Sequence, residues 1–167
     1  VGLPLILYNI PGRTGVNMLP GTVGRLSQLP NIVGIKEASG NLQQMAEVVA
    51  ACKENFVLLS GDDTIVLPVM AIGGRGVISV VSNVAPRLMS QLCGSYLEGD
   101  FERARRLYYK MLPLAQAMFY ETNPIPVKAA LGLMGKCSPE CRLPLAPMGE
   151  AAQERLAAEL RRQGLIN

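Results

Sequence analysis

No histidine occurs among the 167 residues. This absence bears first on metal chemistry. The chain has four cysteines, Cys52, Cys93, Cys137 and Cys141, and only the last two stand close, as Cys-Ser-Pro-Glu-Cys. A four-coordinate zinc site on that pair would need two further ligands, whereas Cys52 and Cys93 fall in helical patterns. No metal is expected, and free thiols in a reducing cytoplasm are the simplest reading. Long apolar runs are also missing. None approaches the ~18 residues that span a bilayer, and no leader pattern is visible, so a cytoplasmic location without a membrane partner is expected. Charge of one sign is not in excess either, with 16 basic and 13 acidic residues and a net charge of +3. The densest basic cluster, Arg103, Arg105, Arg106 and Lys110, is interleaved with Glu98, Asp100 and Glu102. It reads as the solvated face of a helix, and no nucleic-acid partner is expected. The chain opens on Val1, without an initiator methionine and directly in strand-like sequence, which leads us to expect an incomplete polypeptide.

What is present is apolar and ordered in pattern. Hydrophobic residues make up 49% of the chain, which argues against disorder, and the length suffices for a sizeable core. Short runs rich in Val, Ile and Leu predict strands at Leu3 to Tyr8, Ile32 to Lys36, Phe56 to Ser60 and Gly76 to Val81. Helical patterns lie between them. Pro20 suits a first turn, followed by Val23, Leu26 and Leu29. Asn41 can cap a helix with Leu42, Met45, Val49 and Cys52 on one face. Asp62, Asp63 and Thr64 can begin another that ends near Gly73-Gly74. After Val81 only helices are predicted, at about Pro86 to Glu98, Asp100 to Tyr120, Pro126 to Met134 and Gly149 to Gln163. Four βα units followed by a helical tail imply an α/β fold with a parallel sheet. That order fits an open doubly wound sheet or part of a (β/α)₈ barrel. Residues 1–85 would carry the strands and residues 86–167 the last barrel helix and the helical region.

Two segments carry chemistry, Tyr8-Asn9-Ile10-Pro11-Gly12-Arg13-Thr14-Gly15 and Gly34-Ile35-Lys36-Glu37-Ala38. Each ends an apolar run and opens into a polar turn, the place where α/β active sites gather. Side chains alternate along a strand, so Lys36 and Gly34 share a face while Val33 and Ile35 pack against helices. Gly34 would leave room for the lysine stem and a ligand. A desolvated lysine amine is a nucleophile that attacks a ketone to form a Schiff base. The plain alternative is a solvated lysine beside Glu37. Adjacent parallel strand ends lie about 5 Å apart, so Tyr8 can share a pocket with Lys36 and pass protons; its alternative is a core tyrosine with a satisfied hydroxyl. Arg13 follows Tyr8 in the loop, and its planar fork suits a substrate carboxylate. On the same face, Gly61 would allow close approach of backbone to a ligand, Ile78 would line the floor, and Asp62 and Asp63 would serve as helix caps.

On these residues the chain resembles the pyruvate-dependent class I aldolase and lyase family of (β/α)₈ barrels. Tyr8-Asn9-Ile10-Pro11 and Gly34-Ile35-Lys36-Glu37 carry the general family pattern. Arg13-Thr14-Gly15, Ser60-Gly61-Asp62-Asp63, Gly76-Val77-Ile78-Ser79-Val80 and Asn123-Pro124-Ile125-Pro126-Val127-Lys128 are similar to its lysine-biosynthetic branch. The resemblance covers essentially the whole chain, as the carboxyl-terminal half of such a barrel. It implies that Lys36 forms a Schiff base with pyruvate, that Tyr8 relays protons, and that the enamine attacks aspartate semialdehyde on the way to diaminopimelate and lysine. It further implies that Arg13 holds the second substrate's carboxylate and that backbone near Gly61 and Ile78 contacts pyruvate. It implies no cofactor beyond the covalent imine, and a homotetramer supported by the helical tail. Sialic acid and keto-sugar-acid aldolases share the lysine and tyrosine motifs but usually lack the arginine. A non-catalytic half-barrel acting as an assembly module is the reading from another class. The family's first four strands have no counterpart here, so the chain alone is expected to be inactive or nearly so.

Overall fold

In the computed structural model, which describes residues 2–167, three apolar segments become parallel strands: β1 (Leu5–Asn9), β2 (Ile32–Glu37) and β3 (Val57–Ser60), in the sheet order β1-β2-β3. The chain divides into two units, the first ending at Ser79 and the second spanning Val80–Asn167.

The first unit holds the sheet and its helices. After β1 comes a single turn, α1 (Pro11–Thr14), with proline at its start and Gly15 closing it in the left-handed region at φ 70°. Helix α2 (Pro20–Ser27) leads to β2, and α3 (Leu42–Ala51) leads to β3. Asn41 caps α3 as expected, its Oδ1 accepting from Gln44 N at 3.1 Å. A 3₁₀ turn (Asp63–Ile65) and α4 (Val66–Ala71) follow β3. Asp62 caps that turn through Thr64 N at 2.7 Å, while Asp63 lies inside it and is buried. Val23, Ile35, Met45, Val48, Leu58 and Val69 form one core, with Leu7, Cys52 and Phe56 packed against it. Each fully buried side chain of this kind stabilises by about 1.5–3 kcal/mol.

The helix faces differ in part from those expected, with Val23 and Met45 buried as the pattern implies. On α3 the buried residues are Gln44, Met45 and Val48, whereas Leu42 and Val49 are exposed. On α2 they are Val23, Gly24 and Ser27, and Leu29 is exposed. Gly24 is the contact point between the two helices, because a Cβ there would lie 2.8 Å from the Ala51 carbonyl oxygen. Close approach at a glycine rotates the stripe away from the leucines.

The fourth strand expected at Gly76 to Val81 does not form, so the described residues hold three strands and not four. Arg75 N donates to Leu58 O, Ser60 N to Gly76 O and Ile78 N to Ser60 O, each at 2.9 Å, and Ser60 bridges to Val77 in parallel sense. The pairing stops there for two local reasons. Gly76 has φ 145°, and Val80 is already helical ahead of a second 3₁₀ turn (Val81–Asn83).

The second unit is helical: α5 (Pro86–Leu97), α6 (Phe101–Ala117), α7 (Ile125–Leu133) and α8 (Glu150–Arg162). Helix α5 packs on α6, and α8 packs on both α6 and α7. Asp100 caps α6 through Arg103 N at 2.9 Å. Arg103, Arg105, Arg106 and Lys110 are exposed on α6, with Arg105 and Arg106 paired to Glu102. Among the described residues, no helix is long and apolar enough to cross a membrane.

Candidate active site

Three successive rows of strand register build the site. The first row pairs Leu7 with Ile35 and Ile35 with Leu58, all directed into the helix-side core. One residue further, Tyr8 pairs with Lys36 and Lys36 with Leu59. Strand alternation turns this row to the opposite face. The third row, Asn9, Glu37 and Ser60, returns to the helix side and is buried throughout, with relative exposures of 2%, 0% and 0%.

The middle row brings the two candidate catalytic side chains together. The Lys36 amine stands 4.0 Å from the centroid of the Tyr8 ring, within the range of a cation–π contact. Lys36 is half-buried and Tyr8 is 47% exposed. The pair therefore sits at the carboxyl ends of parallel strands, on the sheet face opposite the helix-side core of this unit. Ile6, at 48% exposure, lies on the same face one turn of the pleat below. An amine placed this way can attack a carbonyl, and an adjacent phenol can exchange protons with it.

The other sequence-derived candidates are arranged around this pair in different ways. Arg13 is exposed on α1, the turn that begins directly after β1. Ile78 is 42% exposed and tied through its amide to Ser60 O. Gly61 has a structural occupant. A Cβ there would meet the Ala38 methyl carbon at 2.6 Å, and its amide donates to Glu37 O at 2.7 Å. Gly34 is likewise filled from its own sheet, since a Cβ would come within 2.6 Å of the Val57 carbonyl oxygen. The absence of a side chain at Gly34 lets β2 and β3 close on each other.

Sequence reasoning missed the third row. Glu37 points away from Lys36, and its carboxylate accepts from Asn9 Nδ2 (3.2 and 2.9 Å), from Ser39 N (2.7 Å) and from Gln44 Nε2 (3.3 Å). Asn9 Nδ2 also donates to Asn17 Oδ1 at 2.8 Å, and Asn9 Oδ1 accepts from Met18 N at 2.9 Å. Asn17 and Gln44 exchange a pair of amide hydrogen bonds at 2.7 and 3.1 Å. The signal available was alternation itself, because a residue beside Lys36 on a strand must face the other way. Among the described residues no group of three or more acidic, cysteine or histidine side chains is placed to hold a metal ion.

A family model described as the dihydrodipicolinate synthetase family matches residues 1–163. The chain is similar to the 4-hydroxy-tetrahydrodipicolinate synthase of Syntrophobacter fumaroxidans, 54% identical over 167 residues, covering 99% of this chain and 57% of that one. To the protein of the same name from Geobacter metallireducens it is 55% identical over 166 residues, covering 99% and 57%. The crystal structure of dihydrodipicolinate synthase from Thermotoga maritima superposes with a TM-score of 0.97 at 46% identity, covering 99% of this chain and 58% of that one. The chain thus spans a little over half the length of the relatives it matches.

Proposed function

Because the chain belongs to the dihydrodipicolinate synthetase family, we propose that it carries the Schiff-base half of a pyruvate-dependent lyase of lysine biosynthesis. The observation that carries this reading is the Lys36 amine, 4.0 Å over the Tyr8 ring at the carboxyl ends of two parallel strands. Lys36 Nζ attacks the keto carbon of pyruvate, and loss of water leaves the imine. Removal of a methyl proton gives the enamine, with the Tyr8 hydroxyl passing the proton. The enamine carbon adds to the aldehyde of aspartate semialdehyde, forming the carbon–carbon bond. The amino group of that second substrate then attacks the imine carbon, closes the ring and displaces Lys36, which returns as the free amine. Arg13, exposed at the same strand end, binds the carboxylate of the second substrate. Ile78 and the backbone at Gly61 border the pyruvate. The imine itself supplies the electron sink, and no separate cofactor enters the scheme.

The architecture in this reading is the carboxyl-terminal half of a (β/α)₈ barrel, with residues 1–85 as half-barrel and 86–167 as last barrel helix and helical region. Its support is the parallel order of β1 to β3, the superposition on Thermotoga dihydrodipicolinate synthase and the 58% coverage of that chain. We assign the whole enzyme to the cytoplasm as a homotetramer; one similar structure is described as a monomeric dihydrodipicolinate synthase variant. On its own the chain is inactive or nearly so in turnover, because the uncovered face leaves Tyr8 open to solvent.

The test is intact mass after incubation with pyruvate and borohydride, followed by peptide mapping. A reduced adduct on Lys36, absent in Lys36→Ala, is the expected result. An adduct spread over the exposed lysines, or one unaffected by Lys36→Ala, overturns the assignment. Turnover of the purified chain at the rate of a full-length relative overturns the inactivity.

A further inference from the structure

We propose that Asn9, Glu37 and Gln44 are positioning residues that hold Tyr8 and Lys36 in register, acting from the opposite face of the sheet. This rests on the reading of Lys36 as the Schiff-base lysine. Asn9 and Glu37 each follow one member of the reacting pair, and they are themselves register partners. Their side chains bond across the strands at 2.9 and 3.2 Å on the buried face, so they clasp β1 to β2 at the point where the amine meets the ring. The clasp also reaches the neighbouring elements. Gln44 ties it to the first turn of α3, Asn17 and Met18 N tie it to the segment after α1, and Ala38 N donates to Asn9 O at 2.8 Å. β1 needs this support, because Leu5, Ile6 and Tyr8 on it are 40–48% exposed and among the described residues β2 is its only strand neighbour.

Among the described residues, the donors to the Glu37 carboxylate are N–H groups of Asn9, Ser39 and Gln44. Glu37→Gln keeps the shape but turns one acceptor oxygen into an NH₂ that faces these donors. One strand end must then move. Displacement of a reacting group by about an ångström costs up to ~10²-fold in rate. Combining Glu37→Gln with Gln44→Glu restores a donor–acceptor match between these two side chains, since the new amide can donate to the new carboxylate.

Two readouts on the full chain test the proposal. The first is the rate of borohydride-trapped pyruvate adduct on Lys36. The second needs no pyruvate: competitive acetylation of Lys36 relative to the exposed Lys136. Glu37→Gln is expected to slow trapping about tenfold. It should raise Lys36 acetylation about two- to fivefold, the equivalent of a lost exposed cation–π contact. The double variant should recover part of both changes, because the Gln44→Glu carboxylate no longer donates to Asn17 Oδ1, and Gln44→Leu, which leaves Asn9 and Ser39 on the carboxylate, should move both in the same direction by less. Val69→Ala weakens the same unit's core away from the clasp and should move neither readout. Equal changes in Val69→Ala at matched stability, or no change in Glu37→Gln and Gln44→Leu, overturn the proposal. If the wild-type chain gives no pyruvate adduct while acetylation responds as described, the Schiff-base reading fails and the clasp stands.

Discussion

Replacing Gly34 with alanine distinguishes two reasons for a glycine two residues before the candidate lysine. One reason is space for a ligand on the open face; the other is clearance between strands. A Cβ at Gly34 would sit 2.6 Å from the Val57 carbonyl oxygen, 3.1 Å from Val57 Cβ and 3.4 Å from the Val57 carbonyl carbon. Carbon contacts are comfortable at about 3.5–4.0 Å, so β2 and β3 must part locally by nearly an ångström. Ladder hydrogen bonds have heavy-atom distances of about 2.7–3.2 Å, and a displacement of that size breaks those closest to the methyl group. Each bond contributes about 0.5–1.5 kcal/mol net, and overpacking of a closed site costs about 1–3 kcal/mol. Alanine restricts the unfolded chain and offsets about 0.4–1 kcal/mol of this. A net loss of about 2 kcal/mol is expected, or a fall in melting temperature of about 4–8 °C for a chain of this size. Gly12→Ala is the control, since nothing lies within 4 Å of its Cβ position and its φ is not positive. It should be neutral or slightly stabilising. Thermal and urea unfolding followed by circular dichroism measure both variants. If Gly34→Ala melts with the wild type yet loses the pyruvate adduct, the clearance argument is wrong and the glycine serves a ligand.

Two further outcomes follow from the site and the core. Tyr8→Phe keeps the ring beneath the Lys36 amine and removes only the hydroxyl, so the reduced adduct should still form on Lys36 while exchange of the pyruvate methyl protons with deuterated water slows by about 10²-fold; an unchanged exchange rate excludes Tyr8 as the proton relay. Burial pushes the Cys52 thiol above its ordinary value of 9.0, and a hydrogen bond with Ser27 pulls partly back, so iodoacetamide should alkylate exposed Cys137 well before Cys52. The protonated thiol is favoured in the folded state, so its stabilising contribution is complete below the ordinary value and is lost as pH rises through the raised one. A urea midpoint that rises between about pH 8 and pH 10 in wild type relative to Cys52→Val contradicts this sign.

Much of the scaffold was legible because its signals are local. Apolar runs bounded by turn residues located β1, β2 and β3 to within two residues, and Asn41 identified the start of α3 by its side-chain chemistry alone. The failures were tertiary. The run at Gly76 to Val81 has the composition of a strand, but a positive φ at Gly76 and helical backbone at Val80 leave too short a stretch to pair beyond one bridge. Counting apolar residues on α3 selected Leu42 and Val49, whereas the buried stripe includes Gln44, whose partners are Asn17 and Glu37. No hydrophobicity pattern marks a glutamine that is buried because a carboxylate waits for it. The close contacts of Gly34 and Gly61 with neighbouring backbone give each glycine a packing role beside any role toward a ligand, and no local pattern marks such a contact.

The distribution of polar groups over the two faces separates what this chain holds from what it leaves open. The position of Lys36 over Tyr8 is set within residues 5–60, by the pairing of β1 with β2 and by the hydrogen bonds among Asn9, Asn17, Glu37 and Gln44. None of these interactions depends on the face that carries the amine. On that face, Ile6 and Tyr8 are about half exposed, and water has access to any imine that forms. Exclusion of water strengthens the electrostatics of a reaction site and protects reactive intermediates from hydrolysis. In the proposed reaction, imine formation and turnover therefore draw on different parts of the architecture. Borohydride trapping reports the geometry of the strand ends, and multiple turnover reports the enclosure of the face above them. A chain that traps pyruvate at Lys36 while turning over slowly has the first property without the second, and covering that face should then raise turnover with little effect on the trapping rate.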